Sequence, residues 1–99
     1  MKLIDNDTAT RRAETLKALG HPIRLRIIYL LNVGEQNVGE LAKKLAHKSA
    51  IISQQLKILR LSGLVEVEKR NGHSFYRLAN PHLSTLLECL KSCDRSLTF

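Results

Sequence analysis

The sequence predicts a mainly α-helical single domain over residues 1–99 that carries one small β-hairpin. Three observations lead there. Apolar residues recur at helical spacing from Ala9 to Leu61. Between Val65 and Leu78 the period shortens toward two. Asn71-Gly72 lies inside that stretch, and a two-residue hairpin turn needs residues that tolerate positive φ. With 99 residues, 43% of them hydrophobic, the chain can fill one core and is too short for two, which excludes a two-domain enzyme.

Each element has its own local signal. Ala9, Ala13, Leu16 and Leu19 set a first helix over about 8–19, with Thr8 as its expected N-cap and Gly20 as an expected left-handed stop. Pro22 suits the first turn of a second helix that buries Ile23, Ile27, Leu30 and Leu31 and ends near Gly34. Asn37 and Glu40 have capping-box spacing, and Val38, Leu41, Ala42 and Leu45 form the stripe of a short third helix. After a polar break at His47 and Lys48, Ser49 is the expected cap of a fourth helix with the stripe Ile52, Leu56 and Leu59, ending at Gly63. Val65 and Val67 alternate with Glu66 and Glu68, and Phe75, Tyr76 and Leu78 return as the second strand. Asn80 and Pro81 supply a cap and a first-turn proline for a last helix running to about Ser96 through Leu83, Leu86, Leu87 and Leu90.

Charge narrows the partner. Sixteen Lys and Arg against nine Asp and Glu leave +7, which favours a polyanion such as nucleic acid or an acidic membrane surface. Between Lys43 and Arg77, eight basic residues minus two acidic ones place +6 of that charge on the short helices and the hairpin. The longest apolar run, Ile27 to Leu31, is far too short to span a membrane. Asp5 and Asp7 interrupt the place where a signal peptide would need its apolar stretch, so a cytoplasmic chain without membrane attachment is expected. Cys89 and Cys93 are the only cysteines, too few for a disulfide framework.

Helix, tight turn, helix and a ribbon with a basic tip suit duplex DNA, because an α-helix fills the major groove and a narrow hairpin reaches a neighbouring groove or backbone. At 100° per residue, the side of the fourth helix opposite Ile52, Leu56 and Leu59 carries Ala50, Gln54, Lys57 and Leu61, flanked by Ile51, Ser53 and Gln55. Gln54 can pair with adenine N6 and N7, Ser53 can donate to a base or phosphate, and Ala50 or Ile51 can meet a thymine methyl. Lys57 suits a phosphate. The candidate DNA contacts are therefore Lys48, Ser49, Ala50, Ile51, Ser53, Gln54, Gln55 and Lys57, with Arg70, Asn71 and His73 on the hairpin. On an isolated helix the same Ser, Gln and Lys would read as a solvated face, and basic hairpin residues commonly protect an exposed edge. The short helix before and the ribbon after favour DNA.

Taken jointly, these motifs resemble the ArsR/SmtB family of winged-helix repressors. The resemblance runs from Ala18-Leu19-Gly20-His21-Pro22-Ile23-Arg24-Leu25-Arg26-Ile27, through Ser53-Gln54-Gln55-Leu56-Lys57-Ile58-Leu59 and Gly63-Leu64-Val65, to Arg70-Asn71-Gly72 and Tyr76. It implies a winged helix-turn-helix fold, a homodimer formed through the first and last helices, and a reading helix bearing Ser53, Gln54 and Gln55. It also implies a hairpin wing that touches DNA. The family often opens its reading helix with polar residues, whereas this chain has Ser49-Ala50-Ile51.

The resemblance also implies release from the operator by a metal, metalloid or redox signal. The family's cysteine pair near the third helix is missing, since Val38-Gly39-Glu40-Leu41-Ala42-Lys43 holds no thiol. A second family site on the last helix retains His82 but has Asn80 in place of the carboxylate, and Ser92 and Ser96 in place of histidines. Cys89 and Cys93, four apart on the last helix, remain as effector thiols for a soft metal, a metalloid or an oxidant, or serve as small hydrophobes. No cofactor is required. A thiol oxidoreductase would need a C-x-x-C or a catalytic histidine partner, so no enzyme is expected. The expected function is a homodimeric, sequence-specific DNA-binding repressor. The alternative is a winged-helix protein-interaction module with non-specific DNA binding and no effector.

Overall fold

The computed structural model describes residues 3–97, the last four of them by backbone alone. Its elements are α1 (Asn6–Leu19), α2 (Pro22–Val33), α3 (Val38–Leu45), α4 (Ser49–Leu61), β1 (Val65–Arg70), β2 (His73–Leu78) and α5 (Leu83–Leu97). The order and type of all seven agree with the sequence pattern. No helix among the described residues is long and apolar enough to cross a membrane.

One hydrophobic cluster joins the elements. Ile27, Ile28 and Leu31 of α2, Leu41, Ala42 and Leu45 of α3, and Ile52, Leu56 and Leu59 of α4 bury against one another, with Ala18, Leu19, Leu64, Val65 and Leu87 closing the margins. α1 adds only its last turn to this core, and α5 buries Leu87 while Leu83 and Leu86 pack partly against it. Leu16 on α1 stays 59% exposed and Leu90 on α5 36% exposed, so both helices keep apolar side chains in water.

Several ends differ from the sequence expectation. α1 starts at Asn6 because Asp5, rather than Thr8, is the cap: its carboxylate accepts the Thr8 N–H at 2.7 Å. That bond holds the exposed Asp5 carboxyl below its ordinary range. Gly20 has φ −78°, so it does not end α1 in a left-handed turn; a Cβ there would lie 3.3 Å from the Leu16 carbonyl. His21 then caps α2, its Nδ1 accepting the Ile23 N–H at 3.2 Å. Ser49 is the first residue of α4 and not its cap; Lys48 takes the extended cap position, and no side chain closes the helix end. Asn80 and Pro81 shape a turn before α5 instead of its first helical residues, with the Asn80 amide oxygen accepting from the His82 N–H at 2.8 Å.

Other signals hold as read. The Asn37–Glu40 capping box is complete, at 2.9 and 2.8 Å. Gly63 has φ +76°, and the Gly63 and Leu64 N–H groups return to the Arg60 and Leu59 carbonyls at 3.0 Å, closing α4 with a Schellman turn. The hairpin pairs Val65 with Leu78 through Arg70 with His73, and Asn71 and Gly72 turn at φ 52° and 79°.

Candidate nucleic-acid interface

α3 and α4 form the helix-turn-helix. The turn between them is made by Ala46 in the left-handed region, φ 56°, followed by extended Lys48. The His47 N–H returns to the Ala42 carbonyl at 3.1 Å, which fixes the angle at which α4 leaves. An alanine in that conformation gives no sequence signal, since glycine or asparagine is the usual choice.

Packing then decides which side of α4 faces outward. With Ile52, Leu56 and Leu59 fully buried, Ala50, Ser53, Gln54, Lys57 and Leu61 are exposed, as the helical wheel requires. Ile51 is half-buried, and Lys48 and Ser49 are exposed at the helix start. The backbone donors of that first turn lack a side-chain acceptor, so the positive end of the helix dipole is open to an anion.

Gln55, expected on the reading surface, is already engaged inside the protein. It is half-buried, and its amide oxygen accepts from Arg24 Nη1 at 3.0 Å, while Arg24 Nε donates to the Ala18 carbonyl at 2.6 Å. Arg24 therefore ties the end of α1 to the middle of α4. The sequence holds no trace of this link, because Arg24 and Gln55 are 31 residues apart and sit on helices whose wheels say nothing of their partners.

The hairpin brings Arg70, Asn71 and His73 to an exposed tip beside Lys69. Arg70 is not free there. It lies 4.3 Å over the Phe75 ring, pairs with Glu35 from the α2–α3 loop, and has Glu68 at 3.7 Å. Arg77 pairs with Glu66 and Glu68, both at 2.8 Å, and with Glu35 at 3.5 Å. The Glu68 and Glu66 carboxylates hold its guanidinium still more firmly protonated than usual. Three carboxylates thus face two guanidiniums, which removes the hairpin base from the basic surface counted in sequence. Lys43, Lys48, Lys57, Arg60 and Lys69 are exposed outside this cluster.

Gln36 organises the same corner and was invisible to pattern reading. It is a buried polar residue whose amide donates to the Leu30 carbonyl at 2.7 Å and accepts from Lys44 Nζ at 2.7 Å. Its backbone adds a short bridge to Tyr76, with N–H to carbonyl distances of 3.1 and 2.9 Å, so the α2–α3 loop is docked on the hairpin edge.

Cys89 and Cys93 are exposed thiols on α5. His82 is exposed, and the Asn80 amide oxygen is used by the turn. Among the described residues no three His, Cys, Asp or Glu side chains gather as a metal site; the side chain of Ser96 lies outside the described residues.

The sequence model for bacterial regulatory proteins of the arsR family matches residues 21–67. The biofilm growth-associated repressor of Agrobacterium fabrum is 43% identical over 82 residues, which is 83% of this chain and 70% of the relative. The chain belongs to the arsR family. Its likeness to solved structures extends over most of the chain. The homodimeric winged helix-turn-helix DNA-binding domain from Mycobacterium bovis matches with a TM-score of 0.83 and 28% identity, covering 98% of this chain and 94% of that one. Reduced HlyU from Vibrio cholerae matches with a TM-score of 0.79 and 31% identity over 88% and 92% of the two chains. As an arsR-family transcriptional regulator, the chain has the winged helix-turn-helix architecture of DNA-binding repressors.

Proposed function

We propose that the chain is a cytoplasmic, homodimeric repressor that reads a dyad-symmetric operator in double-stranded DNA. The observation that carries this is the outward side of α4, where Gln54 and Lys57 stand exposed opposite the buried Ile52, Leu56 and Leu59, with Ser53 exposed on the flank. In the major groove Gln54 would read an edge, Ala50 and Ile51 would lie near thymine methyls, and Ser53 would donate to a base or phosphate. Lys48, Lys57 and the uncapped backbone of Ser49 would hold phosphates, and Asn71, His73 and Arg70 would meet the flanking backbone. The dimer part of the reading is supported by the apolar side chains that α1 and α5 leave in water, and by the homodimeric state of the M. bovis relative.

Footprinting on a duplex selected from a random-sequence pool tests the reading. Two protected half-sites related by a dyad and centred about one helical turn apart are expected. A single unsymmetrical footprint, or equal affinity for every duplex, would count against it and favour a protein-interaction module.

The reading extends to the signal. Cys89 and Cys93 are four residues apart on α5 and therefore neighbours on its surface. Two thiols are fewer than the ligands a soft metal or metalloid ordinarily takes, so such an ion would draw donors from both protomers. Oxidation by peroxide would convert two thiols to a disulfide with reduction of the peroxide to water. Within one intact helix that bond is strained, so the cross-link would join protomers or unwind α5. Arsenite, cadmium, zinc, peroxide and polysulfide should be titrated against the DNA complexes of the parent and of a Cys89→Ser, Cys93→Ser variant. Release of the parent by at least one agent and of the variant by none is expected; release of both alike, or of neither, would remove the thiols as sensors.

A further inference from the structure

We propose that Glu35 is an internal stand-in for a DNA phosphate: it occupies the Arg70 guanidinium in the free protein, must be displaced when the hairpin engages DNA, and so sets the overall affinity. The inference rests on the DNA-binding reading above and deepens it.

Glu35 comes from outside the hairpin, 35 residues from Arg70. Its two carboxylate oxygens are divided between Arg70 and Arg77. Arg77 does not depend on it, since Glu66 and Glu68 already lie at 2.8 Å. Arg70 does: its other carboxylate, Glu68, is at 3.7 Å and already serves Arg77. Glu35 is therefore the principal anion on Arg70.

The arrangement is built on both sides. Phe75 lies beneath the guanidinium carbon at 4.3 Å, a cation–π contact that helps hold the group in place. The adjacent Gln36 is pinned by Leu30, Lys44 and Tyr76, so the backbone that carries Glu35 is held against the hairpin. The single Glu35 oxygen on Arg70 occupies a donor that a phosphate oxygen would also take, because both oxyanions accept charge-assisted hydrogen bonds from a guanidinium.

Two consequences follow. Three carboxylates over two guanidiniums repel an approaching polyanion until Glu35 yields. The ion pair is solvent-exposed, so exchanging one oxyanion for another costs little and the competition is mild. Because Glu35 competes with the backbone and touches no base, it lowers binding to every sequence by the same factor.

The experiment is fluorescence anisotropy with the purified full chain, a duplex recovered by selection, and a scrambled duplex of equal length. Glu35→Gln is expected to bind both duplexes about two- to five-fold more tightly, with their ratio unchanged. In an Arg70→Ala background the same substitution is expected to change nothing. The proposal is overturned if Glu35→Gln binds no tighter, if it binds more weakly because the loop merely scaffolds the hairpin, or if the gain survives in Arg70→Ala, which would mean a general charge effect. If the parent itself shows no salt-dependent binding to either duplex, the DNA-binding reading fails first, and that result is distinct from all of these.

Discussion

Truncating Leu56 to alanine is expected to cost about 2–5 kcal/mol of stability. Leu56 is fully buried at the middle of that helix, between Ile52 and Leu59, within the cluster that also holds Ile27, Ile28 and Leu41. Removing its isobutyl group forfeits transfer free energy and leaves a void that the surrounding helices fill only in part. A domain of this size has about 5–15 kcal/mol in total, so the loss is a large share. Urea unfolding at fixed protein concentration checks it: the midpoint should fall with little change in slope, and DNA binding should fail at temperatures the parent tolerates. Leu61→Ala is the matched control, because Leu61 is on the same helix but 75% exposed, and surface changes usually stay within about 0.5 kcal/mol. Equal costs at the two positions would show that α4 is not held by the side the structure buries.

That contrast also marks what the sequence could carry. Leu56 and Leu61 differ in burial because of helical phase alone, and phase is written in a single chain. The same holds for Asn71-Gly72, whose turn demands positive φ at both residues, and for Asn37 with Glu40, whose two bonds close within one turn. Local geometry fails where two local solutions compete. Asp5 and Thr8 are both good caps, and Asp5 prevails with an ionised acceptor for the Thr8 N–H. Ser49 loses the cap of α4 to Lys48 because the left-handed Ala46 fixes the turn, which decides the first extended residue whatever its side chain prefers.

Beyond local geometry the candidate site was legible in outline only. The outward side of α4 follows from its apolar stripe, and the hairpin tip from its turn. What those side chains already hold does not follow. Arg70 reads as a free basic residue on a wing until the α2–α3 loop folds Glu35 onto it, and Gln36 reads as a loop residue until its amide closes the Leu30 carbonyl. The first depends on segments 35 residues apart meeting in space and the second on a side chain folding back six residues onto the preceding helix, and periodicity and spacing encode neither.

The neighbouring amides Gln54 and Gln55 provide the sharpest functional test, since the sequence offers both to DNA and the structure separates them. Gln54 is exposed on the outer side of α4 with no hydrogen-bond partner among the described residues, so its oxygen and two N–H donors are available to a base edge. Gln54→Ala is expected to lose about 1–3 kcal/mol of discrimination at one base pair in each half-site, leaving preferences elsewhere intact. Gln55→Ala should instead act inside the protein: it strips Arg24 of an acceptor and is expected to lower stability by about 1 kcal/mol without changing which base is preferred. Lys57→Ala gives a third signature, weaker binding to all sequences and a salt slope reduced by about 0.9 per half-site. Binding of all three variants to a panel of singly substituted operators, at two salt concentrations, distinguishes these outcomes. If Gln55→Ala rather than Gln54→Ala relaxed a base preference, α4 would have to turn by about 100° in the complex. That rotation would break the Arg24 link and expose the leucine stripe, so the folded core opposes it.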